Sequence, residues 1–160
     1  MKLLFTTCAM LCAALTAGAV TPLWMRDARI SPDGKQIAFT YKGDIYKVAS
    51  TGGEAKRLTT LPSYENRPVW SPDGKYIAFA SDRNGGSDVF IMPANGGSAT
   101  QLTFNSANET PEAFSPDGSH VLFSATIQDP AKSALFPYRA FTELYKVPVD
   151  GGRPTQILGT

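Results

Sequence analysis

The sequence predicts an all-β fold, a β-propeller of four-stranded antiparallel blades with three blades present in an incomplete ring. Three observations predict it. Ser-Pro-Asp-Gly occurs three times, at 31–34, 71–74 and 115–118. Each copy is followed by the same landmarks at fixed distances, and a single elastic interval absorbs all variation in repeat length. Fourteen Gly and twelve Pro stand beside 11% aromatic residues, a mixture of turn formers and β-formers that suits many short strands rather than disorder.

Before the first repeat, Met1 and Lys2 make a short basic start, residues 3–15 are largely apolar, and Ala17-Gly18-Ala19 offers small residues for cleavage. This grammar predicts a signal peptide over 1–19, cleaved after Ala19, and export to the periplasm or the outside of a bacterial cell. The apolar run is too short for a comfortable membrane span, so none is expected after cleavage. Cys8 and Cys12, the only two cysteines, leave with the leader. The remaining segment, 20–160, has no thiol and is expected to hold itself together by packing alone.

Each repeat then resolves into four strands. The first ends at Ile30, Trp70 or Phe114, directly before the Ser-Pro-Asp-Gly turn. In that turn Pro presets φ, Asp accepts backbone N–H bonds and Gly takes the left-handed position, which makes a tight hairpin. The second strand carries Ile37-Ala38-Phe39, Ile77-Ala78-Phe79 or Val121-Leu122-Phe123, and its Phe lies 5 residues past the turn glycine in every copy. The third strand opens with Asp44-Ile45-Tyr46, Asp88-Val89-Phe90 or Glu143-Leu144-Tyr145. It is apolar on both faces, as a strand within a stack of sheets must be. Glycine pairs end 7 residues after Tyr46, Phe90 and Tyr145, and Leu58, Leu102 and Ile157 follow 5 residues later. Asn-Gly and Asp-Gly at two of these pairs are strong hairpin signals. The fourth strand holds one apolar residue among polar ones, the pattern of a solvated edge.

Only the distance between the two aromatics of a repeat varies, from 7 to 11 to 22 residues. Insertions are tolerated in surface connections and not within paired strands, so the fixed intervals are the scaffold. The predicted blades span 22–59, 66–103 and 110–158. Units of this kind repeating at 40 and 44 residues mark propeller blades. The interval rule places a fourth Ser-Pro-Asp-Gly 55 residues after Ser115, ten beyond Thr160. The chain is therefore expected to be part of a longer one.

Charge and composition exclude several function classes. Fifteen Lys and Arg face 14 Asp and Glu with the signs interspersed, so no basic stripe marks a nucleic-acid or anionic-membrane partner. The chain holds no Gly-x-Ser-x-Gly elbow, phosphate loop or His-Glu-x-x-His helix.

The run Pro68-Val69-Trp70-Ser71-Pro72-Asp73-Gly74-Lys75-Tyr76-Ile77-Ala78-Phe79-Ala80-Ser81-Asp82-Arg83, continuing through Asp88-Val89-Phe90 to Gly96-Gly97 and Gln101-Leu102-Thr103, resembles the TolB-type propeller repeat. The resemblance covers nearly all of 20–160. Such blades occur in TolB, in tricorn-like serine peptidases and in prolyl-oligopeptidase relatives. The early first blade and the long insertion of the third repeat are similar to exported tricorn-like peptidases. That resemblance implies an N-terminal propeller that gates or guides peptides toward a serine-peptidase core lying downstream. The alternatives are a non-catalytic TolB-like module that binds envelope proteins and the propeller cap of a prolyl-oligopeptidase-type enzyme. The expected partners are peptides, the rest of a longer chain, or envelope proteins.

No catalytic, metal or cofactor-binding residue is expected within 20–160, and no cofactor. His120 is the only histidine; it aligns with Gln36 and Tyr76 and reads as a polar strand position rather than a catalytic base. Asp33, Asp73 and Asp117 sit in identical turns on different blades and are expected to shape those turns rather than converge on an ion. Glu65 and Glu109 each lie five residues before Trp70 or Phe114. They read as solvated loop acids capping N–H groups, or alternatively as acids at a propeller mouth that bind basic or N-terminal groups of peptides. The insertion 127–141, with Pro130, Leu135, Phe136, Pro137 and Tyr138, is the strongest interaction candidate because its apolar groups need a covering surface.

Overall fold

A computed structural model describes residues 24–126 and 142–157. The predicted leader and the 127–141 insertion therefore lie outside the described residues. Twelve strands form three four-stranded antiparallel sheets. The first sheet holds β1 (Met25–Ile30), β2 (Gln36–Tyr41), β3 (Asp44–Ala49) and β4 (Lys56–Arg57). The second holds β5 (Glu65–Trp70), β6 (Tyr76–Asn84), β7 (Gly86–Pro93) and β8 (Thr100–Gln101). The third holds β9 (Glu109–Phe114), β10 (His120–Ala125), β11 (Glu143–Pro148) and β12 (Thr155–Gln156). Strands pair in chain order within each sheet. The fold is all-β, and its three blades do not close a ring.

The Ser-Pro-Asp-Gly turns form in the same way three times. Gly34, Gly74 and Gly118 all have φ near +70°, where a side chain would be strained. Each donates its N–H to the carbonyl of the turn serine at 2.8–2.9 Å. The serine hydroxyl donates to the turn aspartate at 2.6–2.7 Å and accepts the N–H of the first residue of the next strand at 2.9 Å. A four-residue signature thus closes each hairpin without help from elsewhere.

Register then sets the core. Phe39 pairs with Tyr46, Phe79 with Phe90 and Phe123 with Tyr145 across the second and third strands. Their rings stack at centroid distances of 5.6–6.0 Å, a favourable offset geometry. Because side chains alternate between faces, the other face of each sheet presents a second apolar set to the next blade. Ala38, Ile45 and Leu58 of the first sheet pack with Trp70, Ile77, Phe79, Phe90 and Met92 of the second. Ala78, Val89, Ile91 and Leu102 of the second sheet pack in the same way with Phe114, Val121, Phe123, Tyr145 and Val147 of the third. The two interfaces are copies of one design.

Two repeat positions differ in exposure between the end sheets and the interfaces. Ile30 is 61% exposed, whereas its equivalents Trp70 and Phe114 are each 9% exposed. Ile157 is 39% exposed against 8% for Leu58 and 0% for Leu102. The fourth strands are only two residues long, and the lone apolar residue expected within each lies just after it. There Leu58 and Leu102 turn inward to the interfaces, and Thr59 and Thr103 beside them are buried as well.

Candidate functional site

Two polar clusters occupy equivalent places at one end of the two interfaces, where the third strand and the first strand of the next blade begin. Their acids recur by position: Asp44 opens β3 and Asp88 holds the equivalent place in β7, while Glu65 and Glu109 open β5 and β9. The expectation of solvated loop acids is wrong for Glu65 and Glu109. Both are strand residues with 0% exposure, because the packing of one blade on the next carries the start of the innermost strand into the interface. The link is direct: Glu65 donates its N–H to the carbonyl of Gly43 on the preceding blade at 2.7 Å.

The first cluster is balanced by two guanidinium groups. Arg57 reaches Asp44 with Nη2 at 2.8 Å from both carboxylate oxygens and donates from Nε to the Thr59 carbonyl at 2.8 Å. Arg83 donates from Nη2 to Glu65 Oε1 at 2.6 Å, and its guanidinium lies 4.3 Å from the Phe90 ring centroid and 5.6 Å from that of Phe79. Ser63 adds a hydroxyl bond to the same Glu65 oxygen at 2.8 Å. The second Glu65 oxygen, Oε2, has no hydrogen-bond partner, but the charge it shares is neutralised by Arg83. Buried acids are tolerated when paired in this way.

The second cluster keeps the frame, and no cation among the described residues pairs with its acids. Thr103 accepts the Val89 N–H at 2.9 Å just as Thr59 accepts that of Ile45. Gln101 stands where Arg57 stood and bonds the equivalent two acceptors, Asp88 Oδ2 at 3.0 Å and the Thr103 carbonyl at 2.8 Å. Asn105 donates to Glu109 Oε1 at 2.6 Å. Both of these partners are neutral amides. Asp88 Oδ1 and Glu109 Oε2 are buried without a hydrogen-bond partner. Burial pushes Glu109 above its ordinary value, and the nearby Asp88 charge pushes it the same way, against the Thr103 and Asn105 hydrogen bonds. Burial raises Asp88 too, against the Gln101 amide.

The remaining candidates lie elsewhere. Asp33, Asp73 and Asp117 accept from their own turns, and the serine hydroxyl beside each is the main cause that lowers its pKa, for Asp73 from 3.8 to about 2. His120 starts β10, in line with Gln36 and Tyr76 at the starts of β2 and β6. Its Nδ1 lies 2.7 Å from Ser119 Oγ, which itself donates to Asp117 at 2.8 Å. Ser119 thus stands between Asp117 and His120, so the carboxylate does not orient the imidazole as it does in a catalytic triad.

Backbone irregularity concentrates on the innermost strands. Asp27 and Arg67 take left-handed φ values of 53° and 52° where β1 and β5 slip register against their partners. Bulges of this kind re-aim side chains at blade rims. In β9 the equivalent residue is Pro111, which cannot adopt that φ, and the slip moves to lie opposite Leu122 and Phe123.

Arg57, Arg83, Asp44 and Asp88 were not singled out by sequence reasoning as an interacting set. The available signal was the recurrence of Asp-Ile-Tyr and Asp-Val-Phe, together with Thr59 and Thr103, at fixed repeat positions.

Residues 22–158 match the family model described as the tricorn protease N-terminal beta propeller domain. A Bacillus subtilis peptidase, YuxL, is 45% identical over 56 residues, covering 32% of this chain and 8% of the relative. Tricorn protease homolog 1 of Streptomyces coelicolor is 36% identical over 58 residues, covering 36% of this chain and 5% of the relative. Among solved structures, a TolB-type protein from Agrobacterium tumefaciens superposes with a TM-score of 0.68 at 29% identity, over 85% of this chain and 47% of that one. The chain thus spans under a tenth of the length of these two curated relatives.

Proposed function

The chain belongs to the tricorn protease N-terminal beta propeller family, and from that premise we propose that it is the propeller part of an exported serine peptidase, where it gates or guides peptides toward a catalytic core. The family match over 22–158 carries the reading. The similarity to a peptidase and to a tricorn homolog supports it. The chemistry within the chain fits a guiding rather than a cleaving part: Ser119, His120 and Asp117 are bonded in the wrong order for nucleophile activation. The apolar start and small-residue box of 1–19 support export to the periplasm or beyond.

A second reading, a non-catalytic module that binds envelope proteins, is favoured by the 29% identity to a TolB-type structure over 85% of the chain. Peptidase assays separate the two. Purified residues 20–160 should leave a panel of fluorogenic peptides intact, while the product of the whole reading frame that contains them should cleave, and lose cleavage with a serine-directed inhibitor. A full product without inhibitor-sensitive turnover would favour the envelope-binding reading. Turnover by 20–160 alone that disappears with His120→Ala would overturn both.

A further inference from the structure

We propose that the groove between the second and third sheets, at the end that carries the Ser-Pro-Asp-Gly turns, docks a lysine side chain of an extended peptide segment. The proposal deepens the peptide-guiding reading and rests on it. The first interface holds, within the chain itself, two ammonium groups bound at this place. Lys47 Nζ donates to Asn95 Oδ1 at 2.8 Å, and Lys56 Nζ donates to the Asn95 carbonyl at 2.9 Å. Both lysines belong to the first sheet and reach the turn between β7 and β8 of the second, beside a groove of about 560 Å³ that Lys47 and Asn95 line. The repeat fixes the equivalents. Ile91 and Thr100 of the second sheet pair as Lys47 and Lys56 do in the first. Asp150-Gly151 of the third sheet stands where Asn95-Gly96 stands in the second. The acceptor thus carries a charge where both donors are replaced: Asp150 is exposed and makes no side-chain hydrogen bond or ion pair among the described residues.

The second groove is larger, about 810 Å³, and its lining suits a lysine flanked by apolar residues. Ile91, Met92, Phe114 and Val149 give it an apolar base, and its charged lining residues are Asp73, Asp117 and Asp150. Lys75 pairs with Asp73 at 3.3 Å. Asp117 takes the bonds of its own turn on Oδ1, so Asp117 and Asp150 are the two acids without a lysine or arginine among the described residues. Two such carboxylates above an apolar base complement an alkylammonium, whose stem is covered while its head meets the acids. Lysine fits better than arginine, because the acceptors of the first groove each take one bond from a point-like ammonium rather than two from a planar fork. The 127–141 insertion joins the third sheet at its other end. Thr126 and Thr142 lie just beyond the Ala125–Glu143 pair, whereas the groove adjoins the His120–Pro148 pair, about 17 Å away along the strand.

The test is fluorescence anisotropy with the whole protein that the reading frame encodes, its turnover blocked by a serine-directed inhibitor. Three peptides labelled with fluorescein at the N-terminus are compared: Ala-Leu-Lys-Leu-Ala and its counterparts with norleucine or glutamate in place of lysine. The lysine peptide should bind saturably with a Kd below about 1 mM, at least about fivefold tighter than the norleucine peptide, and more weakly as salt rises. Asp150→Asn, which copies the Asn-Gly turn of the second sheet, should weaken binding at least about fivefold by removing the acceptor's charge. Thr100→Lys, which copies Lys56 at an exposed position, should weaken it by a similar factor, because the chain then supplies its own ammonium. Exposed Glu54→Gln should leave it unchanged. Equal binding of the lysine and norleucine peptides, or binding at the wild-type level by either Asp150→Asn or Thr100→Lys, would overturn the proposal and leave the peptide-guiding reading standing. Failure of all three peptides to bind would overturn both.

Discussion

The interface between the first and second blades and the interface between the second and third share an apolar design and differ in their polar one. Both set Phe79 or Phe123, stacked on its cross-strand partner, against the small residues of the preceding sheet. The first adds an indole bond from Trp70 Nε1 to the Arg29 carbonyl at 3.0 Å and lysine bonds from Lys47 and Lys56 to Asn95 at 2.8 and 2.9 Å. The second has Phe114 in place of the indole, Gln101 in place of Arg57, and the amide of Asn105 on its buried glutamate. The repeat therefore conserves what packs and varies what carries charge. Shape must match at every blade contact, whereas the same buried acid can be satisfied by different partners.

The largest difference between the interfaces should come from removing the partner of each buried glutamate. Arg83→Ala leaves Glu65 buried and unpaired and should cost about 3–5 kcal/mol, the range for breaking a buried ion pair. Asn105→Ala removes a neutral donor from Glu109 and should cost about 1–3 kcal/mol. Chemical denaturation of the two variants measures both. Equal losses would erase the distinction drawn here.

A smaller effect should appear in the pH dependence of stability. Asp88 and Glu109 bind protons more tightly folded than unfolded, because burial raises both from their ordinary 3.8 and 4.5. The native state then holds more protons than the unfolded state just above those values, so their contribution falls as pH rises through the folded pKa. Asp73, lowered from 3.8 to about 2, acts in the opposite sense: its contribution is present above 3.8 and is lost as pH falls toward 2. Glu109→Gln should flatten the first slope and leave the acid-side loss unchanged, as read from unfolding midpoints across pH.

The fold was legible because its signals are local and repeated. Ser-Pro-Asp-Gly encodes its own hairpin through three short-range bonds, and fixed intervals made the strand pairs visible before any contact was known. The interior of the site was less legible. Glu65 lies beside Ser63 and before Asn66, Arg67 and Pro68, a polar stretch that reads as a loop. Only the docking of one blade on the next buries it, and its partner Arg83 is 18 residues away. The exchange of Arg57 for Gln101 was invisible as a change of charge until Asp44 and Asp88 were seen to lie beneath them.

The central claim is that two equivalent buried glutamates are held in different ways, one by the Arg83 guanidinium and one, among the described residues, by the Asn105 amide. The direct measurement is the unfolding free energy of Glu65→Gln and Glu109→Gln at neutral pH. Glu65→Gln should destabilise the chain by about 2 kcal/mol, since it strips a charge-assisted bond from Arg83. Glu109→Gln should be neutral or stabilising, because it removes a charge that no cation of the described residues balances. Equal destabilisation by the two substitutions would contradict the account.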